Sequence, residues 1–220
     1  MKRLSILFVI LAAAAAAFAQ NEQAPIIDGN FAYKDWTLRN LNGEGETNLR
    51  EFVKGKKFVM VVYWAPWCPN WAHDVDFVRE LHEKYADKGL SIIGVGQYDS
   101  VRKMREHFEQ KKLTFPSVYE SDKQADREKT VHFAQRREAG DMRKWGTPWY
   151  VFIDPASVMP DGDVLVTRPK IINGEMIKPE AEKFIRQKLG LETGSELLSA
   201  RSEPVEACDP ATAGPKLQKP

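Results

Sequence analysis

Phe58-Val59-Met60-Val61-Val62-Tyr63-Trp64 is an unbroken apolar run set between Lys56-Lys57 and Pro66. A strand that alternates apolar and polar residues can wet one face, whereas a run with no polar position has to be covered on both. The segment therefore belongs in the middle of a sheet with further layers on either side, which predicts an α/β architecture with a central mixed sheet. The surrounding pattern agrees. Trp71, Val75, Val78, Leu81, His82 and Tyr85 fall at three-and-four spacing and predict a helix, closed by Gly89 in the C′ position. Residues 90–96 predict a second interior strand, 101–111 a helix, 115–119 a short extended segment, and 149–153 a third strand stopped by Asp154-Pro155. Val164 to Ile172 reads as a further strand, where Pro169 argues for an edge position, before an Asn173-Gly174 turn. Pro179 to Leu189 reads as a helix with Pro179 near N1 and Gly190 near C′. Upstream, Trp36 to Leu41, Asn42-Gly43 and Thr47 to Leu49 predict a strand, a turn and a second short strand.

These elements bound one domain over residues 35–190. Ahead of it, Lys2-Arg3, an apolar run from Ile6 to Ala17 and the small-x-small site Ala17-Phe18-Ala19 predict a secretory signal peptide over 1–19. The run is too short for a span of about 20 residues. Membrane contact is expected only through this segment before cleavage, and the mature chain is expected to be periplasmic or secreted, an oxidising setting for a thiol. Residues 20–34 read as a polar lead, and 191–220, with four prolines and no aromatic residue, as a flexible tail. Residues 121–144 are strongly charged and read as a mostly helical insertion on the surface. With 32 Lys+Arg against 31 Asp+Glu the chain lacks the uniform field of a nucleic-acid binder, so no nucleic-acid partner is expected.

Chemistry concentrates in Trp64-Ala65-Pro66-Trp67-Cys68-Pro69-Asn70-Trp71, which sets a thiol between the buried strand and the following helix. Cys68 falls at the helix N-cap, where free N–H groups and the helix dipole favour an anion, and Pro69 fits the first turn because its missing N–H would be unpaired there. Such a place favours thiolate and a nucleophilic sulfur. Five of the six tryptophans, Trp64, Trp67, Trp71, Trp145 and Trp149, stand in the two segments expected around Cys68. Trp64 is assigned to the core, and the other four read equally as core packing or as an aromatic-rimmed groove suited to an apolar peptide or small ligand.

The Trp-Ala-Pro-Trp-Cys-Pro segment at the end of an apolar strand resembles the active-site segment of the thioredoxin-fold superfamily, and more closely its TlpA/ResA-like extracytoplasmic branch, related to the redoxins and peroxiredoxins. Residues 36–56 are similar to that branch's added N-terminal β-hairpin, 89–95 to its second strand, and Gly146-Thr147-Pro148 to its Thr-Pro loop, whose proline is cis and faces the reactive sulfur. The resemblance covers residues 30–190. It implies a thioredoxin-like fold, with the helical insertion lying before the cis-Pro loop, and an oxidoreductase in which Cys68 is the nucleophile. Trp67, Pro69, Trp71, Thr147 and Pro148 would then contact substrate.

The chain departs from that pattern in informative places. The redox unit of the family is Cys-x-x-Cys, and here the position three after Cys68 is Trp71, so an internal disulfide cannot form at this site. A mixed disulfide would need another thiol to clear it. Val62 stands where many thioredoxins carry a buried acid, and Asp76 where a kinking proline is common. Asp74 replaces the branch's usual glutamate, and reads equally as a proton-transfer partner of the thiol or as a plain surface residue. Cys208 is the other cysteine, a possible resolving thiol 18 residues past Gly190, within the root-mean-square reach of about 20–25 Å for a disordered segment of that length. His73, His82, His107 and His132 make no ligand set with Cys68, so no metal is expected, and no glycine fingerprint calls for a cofactor. Two functions follow. One is a monothiol oxidoreductase using Cys68 for thiol–disulfide exchange or peroxide reduction, with protein thiols or disulfides, a small thiol or a peroxide as partner and Asp74 assisting. The other is a non-catalytic thioredoxin-fold module that binds a peptide or ligand in the groove.

Overall fold

A computed structural model describes residues 22–192; the signal segment, the chain beyond 192 and Cys208 lie outside the described residues. Twelve strands run in chain order. They are β1 (Gln23–Ala24), β2 (Ile27–Asp28), β3 (Ala32–Lys34), β4 (Thr37–Asn40), β5 (Glu46–Asn48), β6 (Phe58–Trp64), β7 (Leu90–Gly96), β8 (Ser117–Tyr119), β9 (Trp149–Ile153), β10 (Val164–Thr167), β11 (Lys170–Ile172) and β12 (Glu175–Met176). Five helices accompany them: α1 (Leu49–Val53), α2 (Pro69–Tyr85), α3 (Val101–Gln110), α4 (Val131–Glu138) and α5 (Lys178–Lys188). The main sheet has the order β2-β11-β9-β6-β7-β8-β4-β5. β6, β7 and β8 are parallel, while β9, β11 and the β4–β5 hairpin run antiparallel to their neighbours. This is the mixed α/β sheet expected, with the hairpin added at its far edge.

The apolar run is central for the reason its composition demands. Phe58, Met60, Val62 and Trp64 enter a core shared with α2, α3 and α5, and Val59, Val61 and Tyr63 enter a second core on the opposite face. Strand period two thus fills two layers from one segment. β9 repeats the device, with Tyr150 and Phe152 on the first side and Trp149, Val151 and Ile153 on the second.

Three expectations change on contact with the tertiary structure. The polar lead is structured: β1 pairs with β12, β2 with β11 and β3 with β10, so residues 23–34 are tied to the end of the domain. Partners some 140 residues away leave no local signature. The strand expected over 164–172 divides at Arg168, which has φ 57°, into β10 and β11. β11 is not at an edge, since it lies between β9 and β2; Pro169 sits in the break, where its missing N–H costs no ladder bond. The charged 121–144 insertion is helical, with a 3-10 turn at Gln124–Lys129 followed by α4, but it is not merely a surface excursion, because His132, Gln135, Arg136 and Asp141 are buried.

Gly94 shows how tightly the middle of the sheet is filled. A Cβ there would lie 2.8 Å from Ser117 Oγ and 2.9 Å from Trp64 Nε1, both side chains being buried. Overpacking a filled interior costs about 1–3 kcal/mol. Gly94→Ala is therefore expected to lower the unfolding free energy by about 2 kcal/mol in a denaturant titration; an unchanged midpoint would contradict this packing.

Candidate active site

β6 delivers the chain to a short turn in which Cys68 N–H donates to Ala65 O (3.1 Å), and Cys68 then becomes the N-cap of α2 with φ −77° and ψ 120°. Pro69 occupies the first turn, and no side chain caps the helix. The first-turn N–H groups thus keep their partial positive charge beside the sulfur. Cys68 is 6% exposed, and its Sγ–H donates to Thr147 O at 3.2 Å. The Thr147–Pro148 peptide is cis. Sulfur, helix mouth and Thr-Pro turn are therefore together. They border a cavity of about 200 Å³ lined also by Glu22, Trp67, Asn70, Arg143, Lys144 and Trp145.

The Thr-Pro turn is held from behind by the insertion. Arg143 donates to Pro148 O (2.8 Å) and Thr147 O (3.4 Å) and pairs with both oxygens of Asp141. Arg136, fully buried, donates to the carbonyls of Asp141, Arg143 and Lys144. His132 Nε2–H donates to Gly146 O at 3.2 Å, because a carbonyl can only accept; its Nδ1 therefore accepts from Tyr98 O–H at 2.9 Å. Burial first, and the nearby Arg136 charge second, push the His132 imidazole well below its usual range and keep it neutral. Tyr98 has φ 63°, a backbone state that few side chains adopt, and uses its own carbonyl to accept the Trp67 indole N–H at 3.2 Å. Thr147 Oγ1 is buried with no hydrogen-bond partner among the described residues.

The groove of four tryptophans is only half built. Trp67 and Trp145 line the cavity, with ring centroids 5.0 Å apart and edge-to-face. Trp71 and Trp149 do not line it. Trp71 occupies the inner face of α2, fully buried, packs on Trp64 at 6.0 Å and donates its indole N–H to His107 Nε2 at 2.9 Å. Trp149 faces the second core and donates to Asn173 Oδ1 at 2.8 Å. Asp74 is no surface residue, being fully buried. Its Oδ2 accepts from Tyr150 O–H (2.7 Å) and Met176 N–H (2.8 Å), and its Oδ1 lies 3.1 Å from His73 Nδ1. It stands outside the cavity lining. Burial holds the Tyr150 phenol well above its ordinary value, and the neighbouring Asp74 and Cys68 add to the effect. Cys208 lies outside the described residues.

Arg143, His132, Tyr98, Tyr150 and Glu22 are site-building residues that sequence reading passed over. Arg143 and His132 sat in a charge run taken as solvent-facing, and Tyr150 in an apolar strand. Glu22 sat in the polar lead. Only the unusual Trp145-Gly146-Thr147-Pro148 signal beside Arg143 pointed at that loop.

Comparison with known proteins now has a geometry to join. Residues 30–159 match the model of the AhpC/TSA family. The thiol-disulfide oxidoreductase ResA of Oceanobacillus iheyensis is 25% identical over 128 residues, 54% of this chain and 64% of that protein. The thioredoxin-like protein YneN of Bacillus subtilis is 33% identical over 85 residues, 37% of this chain and 48% of that protein. The chain thus spans less than two thirds of the length of either relative. A crystal structure of a secreted thiol-disulfide isomerase from Corynebacterium glutamicum superposes with a TM-score of 0.54 at 17% identity, covering 78% of this chain and 95% of that one. That likeness shows the fold, which is thioredoxin-like.

The Trp71–His107 pair gives the site a pH signature. To accept the indole proton His107 must be neutral, and burial, helped by Lys111, lowers it from 6.5 to about 4. The unfolded chain takes up that proton near pH 6.5 and the folded one does not, so this share of stability is fully present above 6.5 and is lost as pH falls toward 4. Unfolding titrations should show stability declining across that window. His107→Gln, which keeps an acceptor but cannot titrate, should flatten the decline and leave the part due to His132; an unaltered profile would contradict the assignment.

Proposed function

Since the chain belongs to the AhpC/TSA family, we propose that it is an extracytoplasmic thiol oxidoreductase in which Cys68 alone supplies the reacting sulfur. The observation that carries this reading is the place of Cys68 Sγ, at an uncapped helix N-terminus and 3.2 Å from the carbonyl that precedes the cis proline. Secretion rests on the expected signal segment over 1–19 and agrees with the relative described as secreted.

In thiol–disulfide exchange the Cys68 thiolate attacks one sulfur of a substrate disulfide. The substrate S–S bond breaks, a mixed disulfide forms on Cys68, and the departing thiolate takes a proton. In peroxide reduction the same sulfur takes one oxygen, becomes a sulfenic acid and releases water or an alcohol. Either product is cleared by an external thiol, because position 71 holds an indole where the resembling branch has its second cysteine. Cys208 remains a candidate resolving thiol. Trp67, Pro69 and the Thr147-Pro148 turn receive the substrate chain, and the unpartnered Thr147 hydroxyl can hydrogen-bond to the incoming sulfur or oxygen. Trp71 supports the helix mouth from the core rather than touching substrate. Asp74 assists from behind the site, where its carboxylate holds the Tyr150 hydroxyl and the Met176 N–H. The second reading, a non-catalytic peptide-binding module, is favoured by the indole at position 71 and the near-complete burial of the sulfur.

A single substitution separates the two. Cys68→Ser preserves the shape of the groove but removes the sulfur. In a Cys208→Ser background the protein is expected to yield mixed disulfides or a trappable sulfenate on Cys68 under mild oxidation, and the Cys68→Ser variant to lose them completely. Full retention of biological function in Cys68→Ser would rule out the oxidoreductase.

A further inference from the structure

We propose that the substrate of Cys68 carries a carboxylate next to its reacting sulfur, and that Glu22 holds the place of that carboxylate in the empty site. The proposal rests on Cys68 being the nucleophile. Glu22 enters the cavity of the sulfur from outside the helix-and-sheet frame. Its Oε2 accepts from the Asn70 side-chain amide and lies 3.5 Å from Arg143 Nη1, so an amide and a guanidinium converge on one carboxylate oxygen. Asn70 is in the first turn of α2, where the free N–H groups add further positive character.

The receptor is held by more bonds than its occupant. Arg143 is fixed by Asp141 and by the carbonyls of Thr147 and Pro148, leaving Nη1 turned toward Glu22. Its guanidinium is only 20% exposed, and an arginine so held recognises carboxylate at little further entropic cost. Glu22, by contrast, is 40% exposed and precedes a strand of two residues, β1, whose anchorage is its pairing with β12 and the Glu175 N–H to Glu22 O bond at 3.1 Å. One more cation lines the cavity: Lys144, whose Nζ lies 5.4 Å from the Trp145 ring centre. The nearby acids Glu175 and Asp74 are both met by His73, and Glu175 also by Lys178. A carboxylate arriving with the substrate thus finds donors already aimed, engaged here by the half-exposed side chain of Glu22.

The test uses the purified chain and three peptides, each with a central cysteine activated as its 2-thiopyridyl disulfide and flanked by Glu, Gln or Lys. Cys68 thiolate attacks the peptide sulfur, the bond to the pyridyl sulfur breaks, and 2-thiopyridone leaves with the electron pair and a proton, which absorbance records. Release is expected to be about fivefold faster for the Glu peptide than for the Gln peptide, and slowest for the Lys peptide. Glu22→Gln should increase the Glu-to-Gln ratio further by removing the internal competitor. Equal rates for all three peptides, or a ratio unmoved by Glu22→Gln, would overturn the proposal while leaving Cys68 as nucleophile. Release no faster than from Cys68→Ser would instead overturn the nucleophile itself.

Discussion

One peptide oxygen joins the parts of this site. Thr147 O receives the Cys68 Sγ–H at 3.2 Å and Arg143 Nη1 at 3.4 Å, from a helix and a loop that are far apart in the chain. A buried carbonyl has to find donors, and here both donors are groups with chemical consequences. The acceptor therefore sets the distance between the sulfur and the turn, and brings a guanidinium to the same place. Moving that carbonyl would separate the helix mouth from everything meant to face it.

What keeps the carbonyl still lies in the insertion. His132 is stacked on Tyr63, with ring centroids 4.6 Å apart, and bonds to Gly146 O and to Tyr98 O–H. Arg136 fills the space beneath Gly146, where a Cβ would come 2.2 Å from its Cδ, and Gly146 also has φ +65°. Glycine is required on both counts. A charged side chain survives in that interior because the carbonyls of the loop accept hydrogen bonds from its two Nη groups, which offsets part of the loss of water. The insertion is thus the clamp of the Thr-Pro turn, joined to it by polar contacts where the rest of the core uses apolar ones.

Legibility followed the type of interaction. The β6 run and the inner face of α2 were readable because apolar periodicity is a local property of the chain, while the cis Thr147-Pro148 turn was expected from the family resemblance of that loop. Asp74 was ambiguous because a carboxylate in the first turns of a helix is usually wet. Its burial depends on Tyr150 O–H and Met176 N–H, supplied by β9 and β12. The same holds for Trp71 and Trp149. Their aromatic character was plain, but which side of a wall each would face was decided by α2 and β9 rather than by their nearness to Cys68.

The sequence by itself determined a covered central strand, a helix that begins at Cys68, the lack of a thiol three residues later and the loop that carries Pro148. Each depends on neighbours within a few positions, where sterics and side-chain period act without a partner. Tertiary structure alone decided that Arg143 and Glu22 border the cavity of that sulfur and that His132 stands behind the loop carrying Gly146. Glu22 meets Arg143 from 121 positions away and His132 meets Tyr98 from 34, and such pairings exist only after the sheet has closed and each buried donor has found its acceptor.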